Sequence, residues 1–172
     1  MAAPAKEEAA GCNADLPERQ AHPINCVSWN EAARYCAAAG GRLPTAEELE
    51  WAAHGARSQK RHPWGDGAPG DRICWSGPGN DRAARRFDGT CPVDSHPRGK
   101  SPQGVLDLVG NVAQWTSTAP YWNPYQPEPF GPRQFRVYGG GWDHRHDGSV
   151  LFPLPPDERR ATLGFRCARS ID

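Results

Sequence analysis

Apolar and small residues recur at Trp29, Ala32, Ala33, Cys36 and Ala37, a spacing of three and four that aligns them along one helical stripe. Ser28-Trp29-Asn30-Glu31 opens the stripe in capping-box form: a hydroxyl and, three residues on, a carboxylate can satisfy amide groups that a helix start leaves open. The pattern predicts a helix of about three turns that ends at Gly40-Gly41. Thr45-Ala46-Glu47-Glu48 repeats the capping logic, and Leu49, Trp51, Ala52 and Ala53 are expected to form the buried side of a second short helix that stops at Gly55. From Ser58 to Gly104 no period of 2 or 3.6 is sustained, so a long irregular loop with brief strands at most is expected, which Cys74 and Cys91 could fasten. Further on, the apolar run Gly104 to Trp115 carries polar residues at fixed gaps, and Arg136-Val137-Tyr138 and Gly164-Phe165-Arg166-Cys167 read as short strands. Val150-Leu151-Phe152-Pro153-Leu154-Pro155-Pro156 is apolar and stiffened by proline, which suits either a rigid contact surface or plain packing. No internal repeat or coiled-coil heptad is present.

A chain of 172 residues has room for one domain with a real core. Residues 1–21 read as a flexible N-terminal tail held by Cys12, and residues 22–172 as the folded domain. Glycine (19) and proline (18) together exceed a fifth of the chain, a composition that would suggest disorder if seven tryptophans were not spread through it as anchors. Lys+Arg and Asp+Glu balance at 20 each, which leaves no net field for nucleic acid, and the basic run Arg82-Ala83-Ala84-Arg85-Arg86-Phe87 reads as a solvated face. No run approaches the roughly 18 apolar residues of a transmembrane span. Six cysteines without a CxxC spacing favour disulfides over a zinc ribbon or a redox site, and hence a periplasmic, cell-surface or secreted setting. Met1-Ala2-Ala3-Pro4-Ala5-Lys6 lacks the apolar core of a signal peptide, so an export signal is expected to have been removed.

Five blocks stand in one order: His22-Pro23-Ile24-Asn25-Cys26-Val27-Ser28-Trp29, Gly41-Arg42-Leu43-Pro44-Thr45, Gly110-Asn111-Val112-Ala113-Gln114-Trp115, Gly139-Gly140-Gly141-Trp142 and Leu163-Gly164-Phe165-Arg166-Cys167. Together they resemble the formylglycine-generating-enzyme, or sulfatase-modifying-factor, family over about residues 22–168. The resemblance implies an α+β, C-type-lectin-like fold with little regular secondary structure and long loops. It also implies a truncated form without the family's N-terminal strands, and a Cys36–Cys167 disulfide, which leaves Cys12 with Cys26 and Cys74 with Cys91 by proximity.

Enzymes of this family oxidise a substrate cysteine with oxygen through two cysteines that bind copper(I), a metal that wants soft thiolates. Counted from Gly139, those positions fall on His144 and Ser149, and no cysteine lies between Cys91 and Cys167. The copper reaction is therefore not expected. Asp107, the carbonyls of Gly110 and Val112, and Gln114 match the positions where the family holds a structural calcium, with Asp and Gln in place of the usual Asn and Glu. The blander reading is an Asp and a Gln that hydrogen-bond their own loop. His144 and His146, with Asp143 and Asp147 beside them and His54, His62 or His96 as further donors, would suit a transition metal, although a solvated turn is the preferred reading.

Two classes of function follow. The first is a non-catalytic module that recognises a ligand or protein through loops 118–135 and 142–162, with Trp122, Tyr125, Trp142, His144 and His146 on its surface. The alternative is a metal-dependent oxidoreductase of the wider family. A third reading, a structural partner for an absent N-terminal part, ranks last. Trp64, Trp75 and Tyr121 are loop aromatics that serve either contact or core, the core being favoured.

Overall fold

The computed structural model of the chain describes residues 11–55, 60–77, 89–119, 134–143 and 152–170. Helix α1 (Trp29–Ala38) starts where the capping box puts it: Ser28 Oγ accepts the Glu31 N–H, and the Glu31 carboxylate accepts the Ser28 N–H at 2.9 Å. Glu31 has a second task. Arg159 donates to both of its carboxylate oxygens, so one side chain caps the helix and pins the C-terminal segment to it. That arginine, helped by the Ser28 N–H and hydroxyl and opposed by burial, holds the Glu31 carboxyl at about 2.

Helix α2 (Ala46–His54) repeats the arrangement with Thr45 and Glu48. Arg42 grips both Glu48 oxygens, at 2.7 and 2.6 Å. Gly55, at φ +70°, ends the helix in a conformation that a side chain would resist. The buried stripe of α2 is Ala46, Leu49 and Ala53. Trp51, expected on that side, is 56% exposed, because two residues from Leu49 is about 200° around the helix. On α1, Ala32 and Cys36 are buried, and Ala37, about 100° around the helix from Cys36, is exposed.

Four short strands form one sheet: β1 (Ala113–Trp115), β2 (Phe135–Tyr138), β3 (Phe152–Leu154) and β4 (Leu163–Gly164), in the order β3-β2-β1-β4. β1 pairs antiparallel with β2 and parallel with β4, with Gln114 opposite both Tyr138 and Gly164. β3 comes from the proline-stiffened stretch and pairs antiparallel with β2. It tolerates Pro153 because it is an edge strand, where a missing N–H costs little. The expected strand over 164–167 is shorter than read: it ends at Gly164, and Arg166 makes other bonds. Over the loop from residue 58 to 104, the described residues carry single 3-10 turns at Gly70–Arg72 and Pro97–Gly99 and one isolated bridge between His62 and Gly65.

The main core lies between α1 and the sheet, around Ala32, Cys36, Leu43, Trp115, Val137 and Leu163. Trp29 stacks on Phe135 at 3.9 Å between ring centroids and donates its indole N–H to the Thr116 carbonyl. A second cluster joins α2 to β2 through Leu49, Ala53, Leu108 and Tyr138, and a third holds Ile73, Trp75 and Val109 with Trp64 against it. Trp75 is thus a core residue, and Trp64 is half-buried against that core. Cys12–Cys26, Cys36–Cys167 and Cys74–Cys91 are bonded, at sequence separations of 14, 131 and 17. Cys12 is one of several anchors for residues 11–21: Asn13 is buried and donates to Pro23 O and Thr90 Oγ1, while Asn25 donates to Gly11 O and Ala161 O.

Because the unfolded Glu31 carboxyl takes a proton near 4.5 and the folded one only near 2, its stabilisation is complete above pH 4.5 and is lost as pH falls toward 2. Melting temperatures measured from pH 6 to 2.5 should fall more steeply for the wild type than for Glu31→Gln, and parallel curves would contradict the pairing with Arg159. Paired Cys→Ala variants should rank by loop length: loss of Cys36–Cys167 costs about 4–5 kcal/mol and loss of either short loop about 3 kcal/mol in the chain-entropy description, read by urea unfolding.

Candidate functional site

The segment leading into β1 is shaped by three residues in left-handed conformation: Asp107 (φ 54°), Gly110 (φ 78°) and Asn111 (φ 59°). Asp and Asn tolerate this region better than other side chains, and at Gly110 a Cβ would stand 2.8 Å from the Cys74 carbonyl. Asn111 is buried, and its amide pairs with both backbone groups of Cys91: Oδ1 accepts the Cys91 N–H at 3.1 Å and Nδ2 donates to the Cys91 carbonyl at 3.2 Å. Its own N–H reaches the Cys74 carbonyl at 2.8 Å. One residue therefore holds both halves of the Cys74–Cys91 bond, Cys91 through its side chain and Cys74 through its backbone N–H.

Gln114, 2% exposed, sits at the centre of the expected calcium set. Its Nε2 donates to the Asp107 carbonyl at 2.9 Å, and its Oε1 accepts from Arg166 Nε at 2.5 Å. Arg166 also donates to the carbonyls of Leu106 (2.9 Å) and Asp107 (3.1 Å). Burial pushes the guanidinium below its ordinary value, and the Asp107 and Asp94 carboxylates push it back up. Asp107 Oδ2 accepts the Asp94 N–H at 3.1 Å. A cleft of about 290 Å³ opens beside this group, lined by Ile24, Val93, Asp94, Asp107, Gln114 and Arg166 among others. Calcium wants six to eight oxygen donors. Here the one oxygen of Gln114 serves a cation already and its other end is a donor, so the arrangement does not fit a calcium ion held through Gln114.

The glycines of Gly139-Gly140-Gly141-Trp142 allow close approach. A Cβ on Gly139 (φ 96°) would lie 2.3 Å from the Leu108 carbonyl, and one on Gly141 would lie 2.6 Å from Thr162 Cβ. Trp142, half-buried, donates its N–H to the Asn111 carbonyl at 2.9 Å and accepts the Ser76 N–H at 2.8 Å. Its buried indole N–H meets no acceptor among the described residues. Asp143 is exposed. His144, His146, Asp147, Trp122, Tyr121, Tyr125 and the run Arg82–Phe87 lie outside the described residues. Among the described residues no three His, Cys, Asp or Glu gather as a metal site. His62 is buried and stacks on Trp64, and His96 hydrogen-bonds Ser95. Sequence reasoning assigned no task to Arg166, Asn111 or Asn25. The available signal was position: each lies beside a disulfide cysteine or a left-handed turn, where the backbone leaves its ladder.

The family pattern described as the sulfatase-modifying factor enzyme 1-like domain matches residues 2–171. The chain belongs to this family. Within the sulfatase-modifying-factor family it is 37% identical to the mouse (Mus musculus) protein named inactive C-alpha-formylglycine-generating enzyme 2, over 94% of this chain and 53% of that protein. It is 36% identical to the formylglycine-generating enzyme of Streptomyces coelicolor, over 94% and 57%. The chain thus spans about half the length of the curated relatives it matches. The crystal structure of CarF has the same fold, with a TM-score of 0.68 at 20% identity over 91% of this chain and 70% of CarF. The family includes proteins named as active and as inactive.

Asn111→Ala should strip the Cys91 N–H and carbonyl of their buried partners and cost about 2–5 kcal/mol, measured by chemical denaturation, as two orphaned backbone groups imply. A cost within 0.5 kcal/mol or so of zero, as at plain surface positions, would show that the loop does not depend on this amide.

Proposed function

We propose that the chain is a non-catalytic recognition module on the formylglycine-generating-enzyme scaffold. The observation that carries this reading is the state of the cysteines: all six are joined in disulfides, and none lies between Cys91 and Cys167. A copper(I) dithiolate centre needs two thiolates in one place. Cys36, Cys74 and Cys91 are buried in their bonds, and with all six cysteines paired no thiolate is left to bind copper. Similarity to relatives named inactive formylglycine-generating enzyme 2 supports the same reading.

A scaffold that keeps its fold and loses its reaction retains its loops, and recognition by a ligand or protein partner is the use that loops on a rigid frame serve. The described strands lead to two such regions. Trp115 and Gln134 flank one at one end of the β1–β2 pair, whereas Tyr138 and Phe152 flank the other at the opposite end. Trp122 and Tyr125 belong to the first; Trp142, His144 and His146 belong to the second. Three disulfides support an extracytoplasmic setting, and no helix among the described residues is long and apolar enough to cross a membrane.

Incubated with copper(I), oxygen and a cysteine peptide taken from a sulfatase, the protein should convert no thiol to aldehyde, as read by a hydrazide probe and mass spectrometry. Elemental analysis of chelator-free protein should find no stoichiometric copper, iron or zinc. Aldehyde formation, or a bound transition metal lost on His144→Ala and His146→Ala, would overturn the reading in favour of an oxidoreductase.

A further inference from the structure

We propose that Gln114 and Arg166 together close the family's calcium position in this chain, so that its fold is independent of calcium. The argument begins with the orientation of a buried amide. Arg166 Nε can only donate and the Asp107 carbonyl can only accept, so the Gln114 oxygen faces the guanidinium and its NH2 faces the carbonyl. Neither end can turn round without setting like against like.

The bond from Arg166 takes up the Gln114 oxygen that calcium would use, and the other bonds fix the amide and the guanidinium in place. The Gln114 oxygen already carries a charge-assisted hydrogen bond from a buried guanidinium, which calcium would have to displace or share. The Asp107 carbonyl receives two donors, Gln114 Nε2 and Arg166 Nη2. Arg166 is held in place by a third bond, to Leu106, and its charge is attracted by both Asp107 and Asp94. The site therefore contains its own cation, fixed by the backbone it organises.

A carboxylate at position 114 would behave differently. One oxygen would still accept from Arg166, but the other would face the Asp107 carbonyl with no proton between them. Two acceptors opposed in a buried place call for a cation. Exchange of one oxygen for an NH2 is thus sufficient to turn a position that needs a metal into one satisfied by side chains alone.

The test compares unfolding midpoints of the wild type and Gln114→Glu in EDTA, in calcium and in equal magnesium. The wild type should not move. For a site with a Kd of about 0.1 mM, calcium at about 10 mM is a hundredfold excess and should raise the Gln114→Glu midpoint by about 5–10 °C. A wild-type midpoint raised by calcium beyond magnesium, or one-to-one calcium binding by calorimetry that Asp107→Ala abolishes, overturns the proposal. A Gln114→Glu chain that folds and ignores calcium overturns the role given to the amide. Should that variant fail to fold, the wild-type comparison decides alone.

Discussion

Backbone amides and carbonyls buried in irregular loops must find partners, and in this protein buried side-chain carboxamides supply them. The strands are only two to four residues long, so ladder hydrogen bonds serve a small part of the chain. Asn111 acts as a spare peptide group for Cys91, Asn25 joins residue 11 to residue 161, and Gln114 bridges Asp107 to Arg166. Each amide offers a donor and an acceptor in one plane, which is what a missing strand neighbour would have offered. Without them the loops would carry unpaired polar groups at a cost of about 1–3 kcal/mol each.

Covalent and ionic links hold the ends that these amides organise. Cys36–Cys167 ties α1 to the C-terminal segment, and Arg159 grips Glu31 at the start of the same helix. Arg166, next to Cys167, carries that anchorage into the loop that leads to β1. Glycines permit the close approaches: Gly139 packs against Leu108, and Gly164 against Ile24, at distances no side chain would allow. The result is a rigid frame with little regular structure, and rigidity is what a recognition surface requires of its support.

The same residue type has two uses across the family, and the difference lies in pairing. A thiolate that binds copper has to be free, whereas a cysteine in a buried disulfide contributes only cross-linking. All six cysteines here are paired, and Cys36, Cys74 and Cys91 are buried as well. The paired cysteines belong to a chain that keeps the family's fold while being 37% identical to relatives named inactive.

Much of this was legible in the chain alone, because it is local. Both helix starts follow from a hydroxyl and a carboxylate three residues apart, and their ends from glycine. Five ordered blocks indicated the fold, and the absence of cysteine between Cys91 and Cys167 is visible in the chain itself. Other features were decided by the tertiary structure: that Trp51 faces outward, that the proline-rich stretch at Phe152 becomes an edge strand, and that Gln114 meets Arg166. Gln114 and Arg166 are 52 residues apart, and nothing in the spacing of either says which end of an amide the other will face. A side chain's propensity is set by its neighbours in sequence, but its charge partner is set by whichever group the folded backbone brings within hydrogen-bonding distance.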